Sequence, residues 1–311
     1  MKKFAPYLIF LAAMLWATDA PFRVHLIKNF SSNFIVLAEH FFDVLIVLPI
    51  IIIHFSQLKL LRARQWVAVV IIAVGGSALA SIFFTQAFHY VNPSVAILLQ
   101  KLQPLIAISL AAGILKEKLG QNFWLWAIAA LVGAYIISFP GLRPVVFPGE
   151  QFNPNSIGIG LALLAAVLWG LSTVLGKYVL NKVDFKIMTS LRFIVAFVFL
   201  LILNMVQKTI PQFHAISGLD WLFFGIIAVT SGVVSLFIYY RGLSDTPASI
   251  ATLAELGFPM AAVIINWIFL KDTLSPVQLI GMAVLLFAIF QLAGTTSEVR
   301  ELVTAEGLVG K

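Results

Sequence analysis

Two stretches, SVAILLQKLQP at residues 94–104 and SIATLAELGFP at residues 249–259, stand 155 positions apart in one chain. They match at Ser94/Ser249, Ala96/Ala251, Gln100/Glu255 and Pro104/Pro259. Each is an apolar run with polar groups at its centre and a proline just beyond them. Outward from these stretches the same offset pairs Ala87 with Gly242, Glu117 with Asp272 and Leu119 with Leu274. Further out, Ala12-Ala13-Met14-Leu15-Trp16-Ala17 pairs with Ala165-Ala166-Val167-Leu168-Trp169-Gly170, and His40-Phe41 less firmly with Arg192-Phe193. The chain repeats itself once.

Of the 311 residues, 61% are apolar and 11% charged. A soluble domain runs at roughly 45–50% apolar and about 25% charged. So much apolar side chain does not fit inside a soluble core under a polar surface. The composition predicts an integral membrane protein and excludes a soluble enzyme, a disordered chain and a nucleic-acid module. The absence of cysteine excludes disulfides, thiolate nucleophiles and Cys-ligated metals.

A spanning helix needs about 20 mostly apolar residues. Ten stretches meet this: 6–24, 33–54, 66–88, 93–115, 121–139, 157–180, 186–206, 219–241, 247–270 and 276–293. The expected fold is an all-α polytopic membrane protein with ten transmembrane helices. Residues 1–140 form a first five-helix repeat, 141–156 an outer Pro/Gly-rich linker, 157–293 a second repeat and 294–311 a frayed polar tail. Lys2-Lys3 ahead of an apolar run also suits a cleaved signal peptide, but the repeat makes that run the first span. With both termini cytoplasmic, thirteen of the 20 basic residues fall on inner segments and five on outer ones. The positive-inside rule selects that orientation. Five spans per repeat is an odd number, so the second copy enters the membrane inverted. Inverted repeats are a signature of secondary transporters, whose substrate site lies near the midplane between the repeats.

The alanine-rich first span with its tryptophan, the Pro-Ser start of span 4 with its mid-helix Pro104, the Lys116-Glu117-Lys118-Leu119 close and the five-plus-five duplication resemble a known family. It is the EamA group of ten-span bacterial carriers in the drug/metabolite transporter superfamily. The resemblance covers about residues 5–293 and is weakest in span 2, where Glu39-His40 stands in place of a basic residue like Arg192. It implies a metabolite carrier of the bacterial inner membrane with a central cavity, often an exporter, and names no substrate.

An ionisable side chain at mid-bilayer costs roughly 2.5–3.5 kcal/mol on insertion scales, which makes function its default reading. Lys101 lies near the middle of span 4 at about 1.5 Å per residue, beside Gln100 and Gln103. Pro104 leaves the carbonyl of Gln100 without its helical donor. Glu255 lies at nearly the same depth in span 9, four residues before Pro259. If both charges face one cavity they grip a zwitterion; if they touch, they form a gate or a structural pair. Trp16 and Trp169 lie too deep for an interfacial belt and are expected to line the cavity. Substrate contacts are therefore expected from Trp16, Gln100, Lys101, Gln103, Trp169 and Glu255. Asp19, Glu39, His40, Asp43 and Arg192 are the remaining intramembrane polar groups. Glu39 and Asp43, four apart on one helix face, suit proton coupling; alternatively they bond to Arg192 or Lys101 for packing.

Gly170 to Lys177 imitates a phosphate loop, but its spacing is one residue too long and Tyr178 stands where Ser or Thr must bind magnesium. Glu39-His40-x2-Asp43 lacks the two imidazoles of a zinc helix. No ATP, cofactor, metal or nucleic acid is expected, and no enzymatic activity. The expected partners are a small-molecule substrate, the lipid bilayer and, at most, a second copy of the chain. The expected function is gradient-driven export of small polar metabolites, amino acids or related zwitterions first. Organic cations or drugs are the alternative substrates, and a channel or a lipid-linked flippase subunit the alternative class.

Overall fold

The computed structural model describes residues 4–91, 96, 99–100, 102–117, 119, 122–138, 156–270 and 275–309. Among them every regular element is helical. Seven helices are long and apolar enough to cross a membrane. In the numbering used below, these are α1 (Ala5–Arg23), α2 (Ser32–Ile53), α3 (Ala63–Ala87), α6 (Ile157–Leu180), α7 (Phe185–Val206), α8 (Gly218–Asp245) and the apolar part of α10 (Pro276–Ala293). Shorter apolar helices fall where further spans are expected: α4 (Gln103–Leu115), α5 (Phe123–Ile137) and the first part of α9 (Ala248–Ala262). The protein is an all-α polytopic membrane protein. The linker expected at 141–156 lies almost wholly outside the described residues.

Local chemistry sets several helix ends. The Asp184 side chain accepts from the Lys186 amide at the start of α7. Ser217 and Asp220 form a reciprocal capping box at the start of α8, satisfying amides that have no intrahelical acceptor. The start of α9 is capped from the segment that follows α4: the Glu117 carboxylate accepts from the backbone amides of Ala248 and Ser249 and from the Ser249 hydroxyl at 2.7–3.0 Å. Negative charge there also meets the positive end of the helix dipole. The polar tail from Gly294, expected to fray, instead continues α10 as helix to Val309. Glu298, Glu301, Leu302, Ala305 and Glu306 are strong helix formers, and no proline interrupts them.

The helices pack in a pattern that survives exchanging each helix for the one five places on. α5 lies against α10 and α2 against α7. α1 packs on α8 and α9, as α6 packs on α3 and α4; α2 also meets α8, as α7 meets α3. The α5–α10 crossing is closest at Gly133 and Gly281. A Cβ on Gly133 would stand 2.8 Å from the Leu285 amide nitrogen, and one on Gly281 would stand 3.1 Å from the Gly133 carbonyl. In lipid, where helices gain little from hiding apolar surface, small residues that admit such backbone approach drive association.

Five helices lose α-geometry part-way along. α1 tightens into a 3₁₀ turn at Ala17–Asp19 just before Pro21. α4 starts afresh at Gln103 with Pro104 in its first turn. α9 is two pieces, Ala248–Ala254 and Gly257–Leu270, separated at Glu255-Leu256 just before Pro259. A proline inside a helix removes one hydrogen bond and clashes with the preceding turn, so each break falls one turn upstream of its proline. α3 and α8 instead widen into π-helix at Ile71–Leu79 and Ala228–Val234. Such segments appear frequently at functional sites.

Candidate functional site

The breaks and widenings surround one cavity of about 220 Å³. Asp19 comes from the α1 turn, Gly76 and Ser77 from the π-segment of α3, and Ser231 and Gly232 from that of α8. Gln103 and Pro104 come from the start of α4, and Glu255 from the break in α9. Irregular backbone at membrane depth is tolerated where it lines a protein-enclosed or water-filled space. Here the same prolines and π-segments that interrupt the helices supply the cavity wall.

Ten of the eleven residues singled out from sequence line this cavity: Trp16, Asp19, Glu39, His40, Asp43, Gln100, Gln103, Trp169, Arg192 and Glu255. Lys101 lies outside the described residues. Glu255 is the centre of a hydrogen-bonded hub. Its Oε2 accepts from Gln103 Nε2 at 2.6 Å, and its Oε1 accepts from Tyr239 Oη at 2.8 Å and Thr173 Oγ1 at 3.1 Å. The hub joins α4 of the first half of the sequence to α6, α8 and α9 of the second. Thr173 and Tyr239 are themselves 2.9 Å apart.

Arg192 forms no carboxylate pair among the described residues. Its Nε donates to Ser77 Oγ at 2.5 Å and its Nη1 to Tyr240 Oη at 2.8 Å. The sequence reading that tied Glu39 and Asp43 to Arg192 therefore gives way to a different partner. Arg23 donates to Glu39 Oε2 at 2.9 Å and, through two nitrogens, to Asp19 Oδ2 at 3.1 Å each. Its third contact is Thr85 Oγ1 at 3.3 Å. Arg23 is not among the site residues expected from the sequence; its i,i+4 spacing from Asp19 was the available signal.

Aromatic rings complete the wall. Trp16 packs on Tyr239 with ring centroids 5.3 Å apart. Trp169 meets Phe84 edge-on at 5.2 Å, and its Nε1 donates to the Gly76 carbonyl at 2.9 Å. Against these rings stand buried polar atoms with no hydrogen-bond partner among the described residues: Glu39 Oε1, His40 Nε2, Asp43 Oδ1, Gln100 Oε1, Ser172 Oγ and Thr252 Oγ1. Buried polar groups are normally satisfied, so this concentration at one cavity marks where a ligand or water belongs. Among the described residues no cluster of His, Asp and Glu could hold a metal ion.

A bundle of apolar helices interrupted around a cavity with aromatic walls and unsatisfied polar groups defines a membrane transporter for small molecules. The chain belongs to the EamA-like transporter family, whose model matches residues 3–139 and again residues 156–293. It is a transport protein. It is 30% identical over 296 residues to the riboflavin transporter ImpX of Fusobacterium nucleatum, covering 92% of this chain and 96% of that one. An uncharacterized transporter of Synechocystis sp. is 27% identical over 77% of this chain and 70% of its own length. A crystal structure 16% identical in sequence shares the fold with a TM-score of 0.73, over 96% of this chain and 98% of the other.

Proposed function

We propose that this protein is a carrier for a flat, ring-bearing metabolite of the flavin class, riboflavin first, working by alternating access between two inverted five-helix repeats. α4, α5 and α9 complete ten spans in this reading, both termini face the cytoplasm, and the membrane is the bacterial inner membrane. The helix pairing that survives a five-place exchange and the two matches of one family model support the repeat.

The observation that carries the substrate class is the make-up of the cavity wall. Trp16 and Trp169, from equivalent places in the two halves, offer indole surfaces backed by Tyr239 and Phe84. Around them are unsatisfied donors and acceptors of amide, hydroxyl and carboxylate type. A tricyclic ring with an imide edge and a polyol tail uses both features. The similarity to a riboflavin transporter over nearly the whole chain supports the same choice.

A zwitterion remains the second reading, favoured by the presence of Arg192 and Glu255 in one cavity. Against it, Glu255 already accepts three hydrogen bonds.

Flavin fluorescence reports stacking on indole directly. Titrating riboflavin with detergent-purified protein is expected to give saturable quenching. Trp16→Leu is expected to weaken binding about tenfold, the upper end of what an aromatic pair contributes beyond its area. No quenching, with amino acids raising the thermal midpoint instead, would overturn the flavin assignment in favour of the zwitterion.

A further inference from the structure

Counting charge on the α1–α2 side of the cavity gives an imbalance. Asp19, Glu39 and Asp43 are three carboxylates, and among the described residues Arg23, bonded to two of them, is the one guanidinium that pairs with any. Arg23 serves Asp19 and Glu39 and makes no contact with Asp43. Asp43 is 2% exposed, and its Oδ1 has no partner among the described residues. Among the described residues its one partner of opposite potential charge within ion-pair range is His40, whose Nδ1 is 3.9 Å from Asp43 Oδ2. That same Nδ1 is 2.9 Å from the Val36 carbonyl, which can only accept. In the neutral ring the hydrogen is therefore on Nδ1, and Nε2 is a bare, buried, unpartnered acceptor.

Among the described residues, the elements packed around this face bring little compensation. α8 presents Gly232, so close that a Cβ there would stand 2.5 Å from Asp43 Oδ1. The ionisable groups of α8 are engaged elsewhere: Asp220 with His25 and Arg241 with Asp245 near its ends, and Tyr239 and Tyr240 with Glu255 and Arg192. α3 contributes Thr85, and α7 contributes Arg192, which is bonded to Ser77 and Tyr240. Glu255 lines the same cavity from α9. Surplus negative charge in an apolar setting is neutralised by what binds it, since an unpaired buried carboxylate costs several kcal/mol.

We propose that Asp43, with His40 and Glu39 beside it on α2, is a proton-binding site that couples transport to the proton gradient. The proton comes from water in the cavity, forms an O–H bond on the Asp43 carboxylate, and returns to water on the opposite face when the carrier turns over. Contact between Asp43 and the π-segment of α8 links the site to the substrate hub, because α8 also carries Tyr239, which holds Glu255. The proposal rests on the carrier reading and not on which substrate is carried.

Two measurements on the reconstituted full chain test it. Infrared pH titration in lipid, without substrate, is expected to show a buried carboxylic acid absorption that disappears as the pH is raised. The absorption is expected to be lost in Asp43→Asn. If that variant does not insert, Glu39→Gln is expected to shift the band. Riboflavin uptake is then expected to change at least about threefold per pH unit in wild type, where a one-proton step allows up to about tenfold, and to be flat in Asp43→Asn. No titrating acid in wild type, or one unaltered in both variants, overturns the proton site whatever the substrate. Uptake driven by a sodium gradient and indifferent to pH overturns the coupling.

Discussion

Replacing Glu255 by alanine is expected to lower transport about a hundredfold or more while the protein still reaches the membrane. Truncation removes the shared acceptor of Gln103, Tyr239 and Thr173. A buried donor left without an acceptor costs about 1–3 kcal/mol, and about 1.4 kcal/mol is a factor of ten. Thr173 and Tyr239 can turn to each other at 2.9 Å, but Gln103 loses the bond that ties α4 to α9. Both helices break at this level, so the hub also fixes how their halves meet. Glu255→Gln separates charge from bonding: the Gln103 amide can reverse and keep all contacts with a neutral partner. That variant is expected to melt close to wild type and to retain much more transport than Glu255→Ala. Uptake and thermal unfolding measured side by side check both statements, and wild-type transport in Glu255→Ala would remove the hub from the mechanism.

Gly76→Ala is expected to be the most disruptive single methyl group in the cavity wall. A Cβ at Gly76 would overlap Ser172 Oγ and lie 2.7 Å from Ser172 Cβ. The hydroxyl can rotate away, but the Cβ cannot, so α3 and α6 must separate. Overpacking of this kind costs about 1–3 kcal/mol and sometimes more. The separation also stretches the bond from Trp169 Nε1 to the Gly76 carbonyl, which fixes an indole in the cavity wall. Lower thermal stability and at least about tenfold weaker transport are expected together. Ser172→Gly in the Gly76→Ala background removes both clashing atoms and is expected to restore much of each loss, whereas Ser172→Ala restores less. A double variant no better than the product of the singles would show that the two sites do not interact.

Much of the fold was legible because the bilayer imposes a length on any apolar helix: seven of the ten apolar stretches coincide with helices long enough to cross a membrane, and shorter apolar helices fall within the other three. Pro104 and Pro259 announced the breaks in α4 and α9, since proline cannot donate to the turn before it. Trp16, Trp169, Gln103 and Glu255 were visible as polar or aromatic residues at the wrong depth for a lipid-facing helix. The π-segments were not visible, because no residue type encodes an i→i+5 bond. Arg23 escaped because a cation near the end of a span also reads as a loop anchor. Tyr239, Tyr240 and Thr173 escaped because hydroxyls sit comfortably in any helix, and their role depends on which partner tertiary packing brings.

The central claim is that one cavity, walled by Trp16 and Trp169 and organised by Glu255, carries a flavin-class molecule across the membrane. Counterflow tests it most directly: proteoliposomes of the purified chain, loaded with unlabelled riboflavin, are placed in trace labelled riboflavin. Rapid, saturable accumulation of label is predicted, reduced at least about tenfold by Trp16→Leu or Glu255→Ala, and not prevented by excess amino acids. No accumulation of riboflavin, with brisk exchange of amino acids under the same conditions, would contradict it.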